Sequence, residues 1–379
     1  MVHLILSLDY EIFGNGSGDV MRDLVQPTNR LLRICERHGA KMTIMFEVGE
    51  YWAYKQYDGR LREDLGYSPC ERMKRQAIEA VKRGHDVQLH LHPQWIGAEY
   101  CKGVWQLCNS YWRLADLPGG LGSKSQITSI TGALCMGKRT LESIIKPIKA
   151  DYQCICFRAG GFYAQPSKNI ISAMKRVGLK ADSSIVKGYK TSTPFEVDYS
   201  HVKIDKTAWW TTDTELTEEG KPGENLIELS VSSRMQPYWK NFKITKLKAA
   251  MKRRSAEKVS YNKHNTNKDI SSVPDWRFVL KRLLRNCPST FDFCKLSSRD
   301  MLRRIKENTK YPEQPIVVIG HSKDSVNDRQ FDKFLASLCR NDNVIFHGMS
   351  EYVRQFISDS DISSLSETGK VSLDLSSAK

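Results

Sequence analysis

The feature that most restricts what this chain can become is a repeated switch between short apolar runs and longer amphipathic stretches. Residues 2–8 are one such run, and 25–38 follow with Leu31, Leu32 and Cys35 at helical spacing. Residues 41–46 read as a second strand, 73–83 as a helix closed by Gly84, and 86–91 as a third strand. The alternation continues with strands at 153–157 and 180–184 around a helix at 167–177 that Gly178 stops. Strands are predicted again at 226–229, 316–319 and 344–346, and helices at 329–339 and 350–357. This is the pattern of βα units and a parallel sheet. Seven or eight parallel-type strands predict an α/β fold, a (β/α) barrel that is closed or somewhat distorted, in preference to an open sheet.

Hydrophobic residues make up 40% of the 379, enough for a substantial core, so disorder across the whole molecule is excluded. No apolar run approaches the roughly 20 residues of a membrane-spanning helix. Residues 1–8 have the apolarity of a secretory segment, but no basic residues precede them and they run into Asp9-Tyr10-Glu11, so a buried strand is expected. The ten cysteines are scattered and form no CxxC pair, which predicts reduced thiols and a cytoplasmic protein.

The formal charge of +15 is local. Between Arg234 and Lys310 there are 21 Lys and Arg against 6 Asp and Glu, a surplus as large as that of the entire chain. The expected organisation is a single catalytic barrel domain over 1–357, with an inserted basic segment at about 234–310 and a disordered Ser-rich tail at 358–379. Such an insertion suits a phosphorylated partner, a nucleotide- or lipid-phosphate-linked sugar, or peripheral contact with an anionic membrane face. A solvated helical face would look the same. Nucleic acid is the weaker expectation, since Trp276 and Phe278 beside Arg277 and Lys281 fit an ordinary amphipathic helix.

Four short constellations carry chemistry. Asp9 and Glu11 are two residues apart where the first strand leaves the core, so they project to one side, and two acids there need a cation, a shared proton or water. An ordinary acidic strand exit is the plain alternative. His90 and His92 repeat that spacing at the carboxyl end of the third strand, where parallel-sheet enzymes place their sites; two imidazoles and a neighbouring carboxylate can hold one divalent ion with a position left for water. Phe157-Arg158-Ala159-Gly160-Gly161-Phe162 puts a guanidinium at a strand end before a backbone able to pass close to a ligand. The buried run at 316–319 delivers His321, a natural general acid. Trp95, Trp105, Tyr111 and Trp112 fall in or near a Trp-, Tyr- and Gly-rich loop at 97–122, and either stack on sugar rings or cap the core.

In this order the motifs resemble those of the polysaccharide deacetylases, the NodB-homology group or carbohydrate esterase family four. Ser7-Leu8-Asp9-Tyr10-Glu11 is similar to the family's first motif, and Gly84-His85 through His90 and His92-Pro93 to its histidine motif. Residues 157–162 resemble the Arg motif, Gly178-Leu179-Lys180-Ala181-Asp182-Ser183-Ser184 the segment after it, and Gly320-His321 the late His. The family spaces its two metal histidines at i and i+4, where this chain has Gln94; His92 takes that place, as in a divergent, WbmS-like branch associated with surface-polysaccharide synthesis. The resemblance covers about residues 1–200 and 311–357.

It implies a metal-dependent deacylase that removes acetyl or formyl from an amino sugar or acylated glycan. By that resemblance Glu11, His90 and His92 hold a divalent ion, zinc, with Asp9 as general base, Arg158 orienting it and His321 as acid. Trp95, Gly160, Gly161 and Phe162 would line the carbohydrate. Asp9 and Glu11 could exchange roles. Two other readings remain: a glycosidase using Asp9 and Glu11 as its carboxylate pair, and a catalytically inactive deacetylase-like barrel that binds glycan or lipid-linked sugar.

Overall fold

The computed structural model describes residues 1–193, 195–203, 205–237, 286–308, 314–325, 328–340 and 343–370, with side chains as far as 359. Residues 1–232 and 290–379 make one compact unit and 233–289 a second, smaller one.

The large unit is built on seven strands that follow one another around a nearly closed barrel. In chain order they are β1 (Val2–Tyr10), β2 (Thr43–Glu47), β3 (Asp86–Leu91), β4 (Cys156–Ala159), β5 (Ala181–Asp182), β6 (Ile227–Leu229) and β7 (Pro315–His321). Neighbours pair in parallel: Asp9 opposite Met45 and His321, Glu47 opposite His90, and His90 opposite Arg158. The β4–β5 and β5–β6 ladders continue the ring. Closure comes where β6 runs on to Val231, which bridges Val317 of β7, while Ser232 donates its amide to the Val317 carbonyl at 2.9 Å. Ala208–Trp210 adds an antiparallel edge to β6, and Val344–His347 pairs with the first half of β1.

Alternation along each strand separates two environments. Leu4, Leu6, Leu8 and Tyr10 of β1, with Ile44, Phe46, Val87, Leu89 and Phe157, belong to the core beneath the surrounding helices. Those helices are α1 (Gln26–Arg37), α2 (Val48–Gln56), α3 (Asp58–Leu65), α4 (Pro69–Lys82), α5 (Ile130–Ile145), α6 (Ser167–Val177), α7 (Ser298–Asn308) and α8 (Asp328–Leu338). Their ends are encoded locally: the Ser68 side chain accepts from the Glu71 amide and Pro69 opens α4, while Gly178, in the left-handed region at φ 76°, closes α6. The opposite strand faces gather Ile5, Met45, Cys156, Ala181, Ile227, Leu229 and Val317 into a cluster completed by Met349, Tyr352 and Val353 of the last helix, α9 (Met349–Lys370). One end of the barrel is thus apolar and stoppered by α9, and every polar interior residue discussed below lies toward the carboxyl ends of the strands.

Several sequence expectations need correction. The tail predicted to begin at 358 starts inside α9, which continues to Lys370, and 371–379 lie outside the described residues. The basic insertion is narrower than 234–310: Phe291, Phe293, Met301 and Ile305 are buried in the core of the large unit. In the small unit the paired strands Ser233–Pro237 and Asn286–Thr290 are described. The rest of the basic stretch, with the helix expected around Trp276, lies outside the described residues. The fourth strand sits about three residues later than predicted. Trp95 is 2% exposed and packs edge-on against Trp105 and beside Tyr54, so it caps the core and cannot offer a face to a sugar. Among the described residues no disulfide forms and no helix is long and apolar enough to cross a membrane.

At the stoppered end the rings of His3 and His347 stack with centroids 5.0 Å apart, and His3 Nδ1 lies 2.9 Å from His347 Nε2. One ring must be neutral there to accept from the other, and burial lowers both pKa values. Their contribution to stability is therefore complete above the unfolded value of about 6.5, declines as pH falls through it, and levels off below the folded values. Urea midpoints measured from pH 8 to pH 5 should drop over that window, and less steeply in His347→Phe. An unchanged slope in the variant would refute the assignment.

Candidate metal and acid–base centre

The inward-facing residues at the carboxyl ends of β1, β3, β4 and β7 meet in one place. Arg158 is fully buried and anchors them: Nη1 donates to Asp9 Oδ1 at 2.5 Å, Nη2 to the hydroxyls of Ser7 and Ser183 at 3.0 Å each, and Nε to the Ser183 carbonyl at 2.9 Å. Burial alone would raise the Asp9 pKa, but Arg158, with His90 and His321 nearby, lowers it below the ordinary value. The free oxygen, Oδ2, faces His321 Nε2 at 3.6 Å, too far for a hydrogen bond and wide enough for an intervening group.

Glu11 stands next along the strand exit and divides its two oxygens. Oε1 accepts from Lys323 Nζ at 2.7 Å, while Oε2 lies 3.2 Å from His90 Nε2 and 2.6 Å from His92 Nε2. Burial opposes the charge on Glu11, yet Lys323 and the two imidazoles hold its pKa well below the ordinary carboxylate range. His90 donates from Nδ1 to the Arg158 carbonyl at 2.9 Å, which fixes the ring and turns Nε2 toward Glu11. Burial disfavours a charged His90, but Asp9, Glu11 and Glu47 outweigh it and raise the pKa to about 9. His92 Nε2 is buried and lacks a hydrogen-bond partner despite its closeness to Glu11, because the carboxylate lies off the line of its ring N–H.

The chain makes room for this arrangement. A Cβ on Gly160 would come within 2.5 Å of the His92 ring, and one on Gly49 would meet Glu47 Oε1 at 2.8 Å. Gly161 at φ 60° and Phe162 at φ 64° turn the backbone away just past Arg158. Phe162, half-buried, lies against Val186, Val231, Ile319 and Tyr189 on the inner wall. Gly160 therefore serves the His92 ring, and Trp95, another of the residues expected to line the substrate, lies in the core.

Three contributors escaped the sequence reading. Glu47, at the end of β2, accepts from the amides of Gly49 and His92 at 2.8 Å each, capping α2 and orienting the histidine loop. Glu50 receives the Ile12 amide on both oxygens, at 3.0 and 3.2 Å. Burial raises the pKa of both acids, and that of Glu50 further because Glu47 and Glu11 are close. Lys323 binds Glu11 and also the Ile12 carbonyl, at 2.8 Å. Burial opposes its charge but Glu11 raises its pKa. The signal for Glu47 was present, since it is an acid at the end of an apolar strand run, as Asp9 is.

Glu11, Glu47, His90 and His92 each offer one donor atom, all within 4.8 Å of one another. Two imidazole nitrogens and carboxylate oxygen, with one buried nitrogen lacking a partner, fit a zinc-like divalent ion. On the far side His321 Nδ1 faces Asp292 Oδ2 at 3.9 Å, and Lys295 bridges Asp292 and Asp324 at 2.9 and 2.6 Å. A second His/carboxylate group there, Asp292, His321 and Asp324, thus has a lysine ammonium between its acids.

Comparison with known proteins adds little. No family model and no curated protein sequence matches this chain. Solved structures that resemble it include a Mycobacterium smegmatis protein assigned as a polysaccharide deacetylase, at 13% identity and TM-score 0.43 over 94% of this chain and 90% of that one. A 4-alpha-glucanotransferase from Thermococcus litoralis aligns at 10% identity and TM-score 0.45, over 93% of this chain and 40% of that one.

Arg158→Met should cost about 3–5 kcal/mol of unfolding free energy, the usual penalty for leaving a buried charge unpaired. Urea denaturation measures it, and a loss below about 1 kcal/mol would mean that Asp9 finds another partner.

Proposed function

We propose that this protein is a metal-dependent deacylase, a deacetylase or deformylase acting on an amino sugar or acylated glycan. The observation that carries this reading is the convergence of His90 Nε2, His92 Nε2 and Glu11 Oε2 beside an Arg-held aspartate and a third imidazole, that of His321. Glu11, His90 and His92 would hold the divalent ion, zinc by the character of the donors, which when bound supplies Lewis-acid polarisation of the acyl carbonyl and a place for water. Asp9 is the general base: Arg158 takes Oδ1 and keeps the group ionised, leaving Oδ2 to accept a proton. His321, facing that oxygen, delivers a proton to the departing amine or alkoxide. Glu11 is the better ligand of the two acids because its Oε2 is the oxygen that both imidazoles face.

A glycosidase is disfavoured by the same electrostatics, since its acid needs a raised pKa whereas Asp9 and Glu11 are both lowered. One observation favours the inactive, glycan-binding alternative: Lys323 already gives Glu11 a counter-charge. Cellular placement in the cytoplasm, a role in surface-polysaccharide synthesis and contact of the basic segment with an anionic membrane belong to the same proposal.

Metal analysis together with acetate and formate release from nucleotide-sugars and glycans tests it. Stoichiometric zinc is expected in the wild type and its loss in His90→Ala and His92→Ala. Asp9→Asn should retain zinc while kcat falls by about 10²–10⁴. A metal-free protein that still binds sugar would establish the inactive reading instead. The basic stretch further predicts a phosphorylated substrate or carrier, so KM should rise with ionic strength; a KM that stays flat from low to high salt would remove the phosphate from the proposal.

A further inference from the structure

Glu11 has two oxygens, and a carboxylate beside a divalent ion can offer one or both. Here one is taken. Lys323, from the short turn that follows β7, reaches back with its ammonium to Glu11 Oε1 and at the same time to the carbonyl of Ile12, at 2.7 and 2.8 Å. The amide of that same Ile12 is gripped by Glu50, so the residue after Glu11 is held through both flanking peptides, by its N–H on one side and its C=O on the other. The lysine side chain is 13% exposed and its Nζ lies 5.8 Å from the centre of the Phe13 ring. Only Oε2 of Glu11 remains turned toward His90 and His92.

We infer that Lys323 is a positioning residue that restricts Glu11 to a single metal-binding oxygen, so that a coordination position stays open for substrate or water. The inference rests on the deacylase reading above and adds to it a residue that touches neither metal nor substrate. An ordinary buried ion pair would matter to stability alone. A restraint on denticity matters to the number of donors around the ion.

Cobalt in place of zinc reads that number directly, because its visible absorption weakens as donors are added. The comparison is between the wild type, Lys323→Met, which keeps the stem but loses the ammonium, and Lys323→Arg, which can still occupy Oε1. Lys323→Met should bind one cobalt with clearly weaker absorption than the wild type, and Lys323→Arg should restore the stronger spectrum. Superimposable wild-type and Lys323→Met spectra would overturn the inference while leaving the deacylase reading intact. A wild type that takes up no cobalt or zinc would overturn both. Should Lys323→Met fail to fold, crystals of the zinc-loaded wild type decide: the ammonium still on Oε1 with the ion on Oε2 supports the inference, and both oxygens on the ion with the ammonium displaced refutes it.

Discussion

A guanidinium with no exposure to water, at the middle of a barrel, is the constraint around which the rest is arranged. Arg158 carries a fork of N–H donors, so the surrounding strands must supply acceptors for it, and they do so from β1 and from the chain just after β5. Pairs of this kind seldom add net stability over an apolar replacement, since removing two charges from water costs about as much as their attraction returns. Their effect is on geometry. With Asp9 bound through one oxygen, the other has a fixed direction, and the Arg158 carbonyl fixes the orientation of the His90 ring through Nδ1. A single residue thus orients a base and a candidate metal ligand on two different strands.

Polarity along the barrel axis follows from the same alternation that made the strands recognisable. Position 5 of β1 is apolar, position 7 a hydroxyl, position 9 an acid, and the neighbours keep pace: Met45 then Glu47, Gln88 then His90 then His92, Val317 then Ile319 then His321. The apolar layer needs a cover, and α9 provides it with Met349, Tyr352 and Val353. The polar layer needs counter-charges and finds them in Arg158, Lys323 and the imidazoles.

Much of this was legible. Strand and helix positions came from periodicity, and the third strand and α6 fall where the spacing put them. Asp9 with Glu11 and His90 with His92 were marked by their two-residue spacing at a strand exit, and Arg158 and His321 by their place at a strand end, and the fold brings all six to the same end of the barrel. What stayed hidden has physical causes. α2 starts without a loop, with Glu47 ending a strand and capping the helix in a single residue, so no turn signal separates them. α5 contains Gly132 and Gly137, poor helix formers kept because a Cβ would strike the Gln126 carbonyl or Leu89. Lys323 reads as an exposed residue after a strand, and its partner is 312 positions away. Trp95, next to the histidine motif, had the chemistry of a sugar platform, but its neighbours Tyr54 and Trp105 enclose it.

The absent side chain at position 160 has a use outside biology. Its backbone lies against the imidazole of His92 with no room for a methyl group, while its own dihedral angles are ones that alanine tolerates. Gly160→Ala would push that ring aside without adding or deleting a charge or a hydrogen-bonding atom. Such a molecule would be a matched blank for binding assays, with the same formal charge as the original and altered in where one ring can stand.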